Sequence, residues 1–143
     1  FPSPTKGIVI YGKPTSRVCK VLWMCGECNV PFEKVDLWED RTQPWYLAVN
    51  PKGTVPSFKD GDVVLNESNA AVFYVAHKYG AKHGVFPRDP KDLALATQWA
   101  EWGETSLVPA HNLIFFGSVR KSYPPSSRQP GQPTSEEVAA MIP

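Results

Sequence analysis

The chain has 143 residues, 42% of them hydrophobic, and a formal net charge of +1. That is enough apolar side chain for one well-buried domain, while lysines and arginines spread along the sequence form no basic stripe to neutralise phosphates, which argues against a nucleic-acid partner. No apolar run approaches a membrane span, residues 1–6 have none of the features of a secretory leader, and three cysteines fit a reducing compartment better than a disulfide framework; the expectation is a cytosolic protein with no membrane partner.

Gly7-Ile8-Val9-Ile10-Tyr11 is a short β-rich run. Pro14 marks the break before a helical stretch with apolar Val18, Val21, Leu22, Cys25 and Cys28 at helix spacing. The stretch from Val30 to Leu37 alternates as a second strand, which predicts a βαβ opening with a right-handed crossover and a parallel strand pair. Residues 39–49 read as an irregular or short helical connector. Ser57-Phe58 and Val63-Val64-Leu65, joined across Asp60-Gly61, predict an antiparallel hairpin. Glu67 to Tyr79 then reads as an amphipathic helix ended by Gly80. Residues 80–90 have linker composition. A long helix with Leu93, Leu95, Trp99, Trp102, Leu107 and Leu113 follows, and Lys121 to Pro133, with four prolines, reads as a loop. Thr134-Ser135-Glu136-Glu137 has the pattern of a capping box opening a further helix. That helix would meet the chain end at Pro143 before it could pack, so the expectation is an incomplete chain.

The chemistry concentrates between Asn50 and Tyr74. Val55-Pro56 is a bond at which cis costs little, and a kinked valine can offer its own N–H and C=O to a peptide lying alongside. Glu67 and Ser68 open a helix, where free N–H groups and the positive dipole end favour a carboxylate, while the Glu67 side chain can pair with an ammonium. Together they complement a zwitterionic amino-acid head such as the γ-glutamyl end of glutathione. The simpler use of an acid and a hydroxyl there is to stabilise the helix itself.

Cys25-Gly26-Glu27-Cys28 has the spacing of a redox pair, but such a pair belongs at a helix N-terminus and this one falls near a helix end, so packing is the better reading. Zinc would need two further ligands, and neither a second cysteine pair nor a close histidine pair exists. Trp99 and Trp102 share a helix face and read as core or domain-interface packing, with a ligand pocket as the alternative. His77, His83 and His111 have no ligand or relay spacing and read as surface or helix-end residues.

Asn50-Pro51-x-Gly53-x-Val55-Pro56, Asp60-Gly61 and Leu65-x-Glu67-Ser68-x-Ala70, in this order and spacing, resemble the amino-terminal domain of the glutathione transferase family. The resemblance covers residues 7–80, and the Trp-rich stretch from Lys91 to Arg120 resembles the opening of that family's helical domain. It implies an α/β fold: a thioredoxin-like βαβ-ββα domain over residues 1–80, a linker over 81–90, and the start of an all-helical carboxy-terminal domain over 91–143. It also implies glutathione as co-substrate, no metal, a small hydrophobic electrophile as acceptor, a role in detoxification and a homodimer. Within the family the likeness is to serine- or threonine-type, theta- or delta-like or bacterial members.

The family's task is to favour the glutathione thiolate near neutral pH, and each unit of pKa lowering needs about 1.4 kcal/mol of differential stabilisation. In serine-type members the catalytic serine lies three residues before the apolar residue that Val18 matches, a register that selects Thr15, with Ser16 as its alternative. Both hydroxyls could instead cap the helix, and Tyr11, a possible phenolic donor, lies inside the strand pattern. The resemblance further assigns Val55, Pro56, Glu67 and Ser68 to glutathione, with Arg41 and Lys52 for its glycyl carboxylate. Two rivals share the fold: a non-catalytic binding or regulatory member, favoured by threonine at position 15, and a glutathione-dependent lyase, dehalogenase, isomerase or reductase.

Overall fold

The computed structural model describes residues 7–114. The chain divides into two compact units, Phe1–Arg88 and Asp89–Pro143. The first begins with β1 (Ile8–Tyr11), α1 (Val18–Glu27) and β2 (Phe32–Val35), passes a 3-10 turn (Glu39–Thr42) and the short helix α2 (Pro44–Leu47), and continues through β3 (Ser57–Asp60), β4 (Val63–Leu65) and α3 (Ser68–Tyr79). A second 3-10 turn, Ala81–His83, follows.

The four strands form one mixed sheet in the order β2-β1-β3-β4. β1 runs parallel to β2, with Ile8 opposite Phe32 and Tyr11 opposite Val35, and antiparallel to β3, with Ile10 opposite Phe58. β4 closes the edge against β3 across the Asp60-Gly61 turn. This is the thioredoxin-like βαβ-ββα arrangement, with one parallel pair from the crossover and two antiparallel pairs.

Successive strand side chains point to opposite faces, and β1 uses both. Ile8 and Ile10 join Val18, Val21, Cys25 and Cys28 of the α1 segment, Phe58 of β3 and Ala71 and Val75 of α3 in one buried cluster. Val9 is also buried, and the Tyr11 ring lies 5.9 Å from that of Tyr46 in α2. Removing these nine residues from water, at about 1.5–3 kcal/mol each for the larger ones, is what chiefly holds α1 and α3 to the sheet. The two cysteines are core residues here, and burial pushes the Cys25 thiol up to about 11, which keeps it protonated and inert.

Several boundaries differ from those the sequence predicts. β2 covers four residues rather than the full stretch from Val30 to Leu37, because its partner β1 supplies only four pairing positions; Leu37 is buried outside the ladder. The helix proper begins at Val18, after a turn over residues 14–17 that contains Thr15 and Ser16. α3 starts at Ser68, with Glu67 as the extended residue before it, and ends at Gly80.

The second unit contains α4 (Pro90–Trp102), a π-helical turn (Gly103–Leu107) and α5 (Val108–Ile114). Asp89 caps α4, its carboxylate accepting from the N–H groups of Lys91 at 2.9 Å and Asp92 at 3.4 Å, and Pro90 occupies the first helical position, where a missing N–H costs nothing. The single long helix expected here is therefore interrupted by a π turn. Trp99 and Trp102 meet edge to face at 5.7 Å on the shared face the sequence predicts, and are 61% and 47% exposed. The loop expected at Lys121–Pro133 and the helix start at Thr134 lie outside the described residues.

Candidate functional site

Three segments of the first unit, the stretch bearing Arg41, the 50–56 loop and the turn after β1, converge, and two glycines mark where they touch. Gly12 ends β1 with φ +123°, a value L side chains rarely adopt, and its N–H donates to the Val35 carbonyl at 2.9 Å. A Cβ at Gly12 would lie 2.7 Å from Val18 Cγ2 and 2.9 Å from Val55 Cβ, so the turn after β1 passes against the Val55 bend with no room for a side chain. Gly53, at φ +59°, sits over the Arg41 backbone, its own added Cβ falling 3.1 Å from the Arg41 carbonyl oxygen. Arg41, the 50–56 loop with its Val55 bend, and Gly12, which leads into the turn bearing Thr15 and Ser16, are thus contiguous.

The loop before β3 is fixed from beneath. Tyr46 is fully buried; its hydroxyl donates to the Thr54 carbonyl at 2.6 Å and bonds Ser57 Oγ at 2.7 Å. Asn50, also fully buried, donates through Nδ2 to the same Thr54 carbonyl at 2.8 Å and accepts from the Lys52 N–H at 3.0 Å. Burial pushes the Tyr46 phenol up, and it remains a donor. Neither Tyr46 nor the role of Asn50 was legible as part of a site. A tyrosine eight residues before the carbonyl it grips leaves no local spacing signal.

The Val55-Pro56 bond is cis, as the sequence led us to expect. Pro56 is buried and Val55 partly exposed. Neither the N–H nor the C=O of Val55 has a hydrogen-bond partner among the described residues, which leaves one donor and one acceptor for an extended peptide.

At the start of α3, Ser68 is buried and Glu67 is exposed. Glu67 makes no capping hydrogen bond. Instead its Oε1 lies 3.3 Å from the Lys52 ammonium, which joins the loop before β3 to the helix start. Arg41 is partly exposed, its guanidinium 4.7 Å from the Trp38 ring centroid, and its buried Nη1 has no hydrogen-bond partner among the described residues.

The two candidate hydroxyls differ. Ser16 Oγ donates to the Lys13 carbonyl at 2.8 Å and accepts from the Val18 N–H at 3.3 Å, closing the turn that precedes α1. Thr15 is exposed, and its hydroxyl makes no hydrogen bond to a described residue. Tyr11 is half-buried at the end of β1, where burial and then Glu33 push its phenol up. Among the described residues no group of three or more His, Cys, Asp and Glu could hold a metal, and no helix is long and apolar enough to cross a membrane.

The mixed β2-β1-β3-β4 sheet packed against α1 and α3 is a thioredoxin-like domain. Residues 10–83 match the family model for the glutathione S-transferase N-terminal domain, and the chain belongs to the glutathione S-transferase family. It is 35% identical over 127 residues to glutathione S-transferase GstB of Escherichia coli strain K12, covering 85% of this chain and 60% of that one. It is also similar to the glutathione-bound theta class enzyme of Xanthomonas axonopodis pv. citri, with a TM-score of 0.76 and 30% identity over 96% of this chain and 65% of that one. Glutathione transferase F2 of Populus trichocarpa gives a TM-score of 0.76 at 28% identity, over 94% and 62% of the two chains. The chain thus spans about 60% of the length of the E. coli relative.

Proposed function

We propose that the protein binds glutathione along the Val55 bend and at the start of α3 and conjugates it to a small hydrophobic electrophile, a bond forming between the glutathione sulfur and the electrophilic carbon as the thiol proton is lost and any leaving group departs from the electrophile. The observation that carries this reading is the backbone of Val55, whose donor and acceptor both lack a partner among the described residues, in a loop that Lys52 joins to Glu67 at the start of α3. The cysteinyl unit pairs with Val55 as an added strand. The γ-glutamyl ammonium meets Glu67, and its carboxylate takes the Ser68 hydroxyl and the N–H groups opening α3. Arg41 and Lys52 are the cations available to the glycyl carboxylate.

Thr15 donates to the sulfur and favours the thiolate, which attacks the acceptor once both are held together; catalysis is by positioning and pKa adjustment. Pro56 shapes the bend, and Ser16 supports the turn that aims Thr15. In keeping with the family, the setting is a cytoplasmic homodimer engaged in detoxification, and the domain plan is residues 1–80 for glutathione, a linker over 81–90 and a helical domain from 91.

The test uses full-length protein, calorimetry with glutathione and a conjugation assay with a generic aromatic electrophile. Glu67→Gln should weaken binding by about 1.5–3 kcal/mol, the range for a hydrogen bond to a charged group. Unchanged affinity would displace the amino-acid head from Glu67. Binding without turnover in the unaltered protein would identify a binding member, consistent with threonine at position 15.

A further inference from the structure

We infer that the ammonium site at Glu67 is occupied by the protein's own Lys52 in the ligand-free state, so that glutathione enters by displacing an internal mimic of its γ-glutamyl amine. This rests on the reading of Glu67 as the residue that receives the ligand's ammonium. Lys52 Nζ is itself a primary ammonium, and it lies 3.3 Å from Glu67 Oε1, where an incoming –NH3⁺ group would have to sit. Its presence there is not incidental to a mobile loop. The Lys52 backbone N–H is held at 3.0 Å by the fully buried Asn50 side chain, and Asn50 is locked in turn to the Thr54 carbonyl. The base of the lysine is anchored while its end remains able to move, since the two side chains are 68% and 72% exposed.

That exposure sets the size of the effect. An ion pair this open to solvent is weak, so the lysine cannot block the site; it lowers the apparent affinity for an amine-bearing ligand by a small factor. Two ammonium groups cannot share one carboxylate oxygen pair without mutual repulsion, so entry of the ligand's amine releases Lys52. The consequence is selective: it penalises ligands that carry the amine and leaves those that lack it untouched.

The selectivity supplies the experiment. Dissociation constants for glutathione and for its deamino analogue would be measured by calorimetry on full-length protein and on Lys52→Gln, which keeps the backbone N–H to Asn50. The ratio of the two constants cancels any contact of Lys52 with a ligand carboxylate, because both ligands carry the glycyl group and the γ-glutamyl carboxylate. The preference for the amine-bearing ligand should rise about two- to fivefold in Lys52→Gln, the range an exposed ion pair allows, and the rise should vanish when Glu67→Gln is also present. An unchanged or reduced preference in Lys52→Gln, with a clear preference in the unaltered protein, would overturn the displacement while leaving Glu67 as the ammonium site. No preference for the amine in the unaltered protein would remove the Glu67 assignment, and the displacement with it. Melting temperatures within a degree of one another would establish that the variants are folded.

Discussion

Gly12 and Val55 are pressed together where the turn after β1 crosses the bend before β3, with space for a hydrogen and not for a methyl group: a Cβ on Gly12 would stand 2.9 Å from Val55 Cβ. Gly12→Ala faces both this clash and an unfavourable φ of +123°. The expected loss is about 2–4 kcal/mol of folding stability, from overpacking and backbone strain together. Urea denaturation measures it. Because the displaced partner is Val55, any folded fraction should also bind glutathione more weakly.

Thr15 and Ser16 should separate cleanly. The Ser16 hydroxyl spends its proton on the Lys13 carbonyl, whereas Thr15 has its own to give. Thr15→Val, which keeps the shape and removes the donor, should raise the pKa of the bound thiol and cut turnover by about ten- to a thousandfold, from roughly 1.4–4 kcal/mol of lost stabilisation. Ser16→Ala should cost about 1 kcal/mol of stability and much less of rate. Thiolate absorbance against pH and steady-state kinetics distinguish them; the opposite ranking would move the role to Ser16.

Tyr46→Phe removes a buried hydroxyl and leaves the Thr54 carbonyl with Asn50 alone and Ser57 without its phenolic partner. The expected cost is about 1–3 kcal/mol. Faster amide hydrogen exchange over residues 50–55 than over α3 would show that the loss is local to the loop this hydroxyl supports.

Asp60 carries a pH signature. Its Oδ2 accepts from Lys78 at 2.7 Å, Tyr79 at 2.7 Å and Tyr74 at 3.0 Å. Burial pushes the carboxyl up, but these hydrogen bonds outweigh it and hold the group below the usual aspartate range. A folded-state value below the unfolded one means that the stabilisation is complete above the unfolded value, near 4, and is lost as pH falls through the lowered folded value. Asp60→Asn should therefore be less stable than the parent at pH 6, and the gap should narrow on going towards pH 2. A gap constant across that range would show that the carboxylate's charge contributes nothing.

The sheet and the Val55 bend were legible because they depend on local signals: apolar runs, Asp60-Gly61, and a proline where the chain reverses. Strand length was less so. β2 stops where β1 runs out of partners, a tertiary limit that the alternation from Val30 to Leu37 does not carry. The helix start was displaced for a local reason, since Ser16 closes a turn of its own before α1 begins. Gly12 and Tyr46 escaped notice, and Asn50 was read as part of a motif without its structural role, because what they contribute is a close approach to Val55 and two donors gathered on one carbonyl, which no sequence spacing announces. Trp99 and Trp102 share a helix face as their spacing predicts, and both are exposed among the described residues.

Arg41 rests 4.7 Å above the centre of the Trp38 ring, and this stacking gives the protein a built-in optical reporter. A guanidinium over an indole perturbs its excited state, so emission from Trp38 is tied to where Arg41 sits. Any ligand carboxylate that draws the guanidinium off the ring changes the light the protein emits, without a label. Five tryptophans share the signal, but the other four lie outside this pair, and replacing Trp38 with phenylalanine would isolate its share. If the glycyl carboxylate docks at Arg41 as proposed, its arrival would register in Trp38 emission, independently of the thiol and of any acceptor.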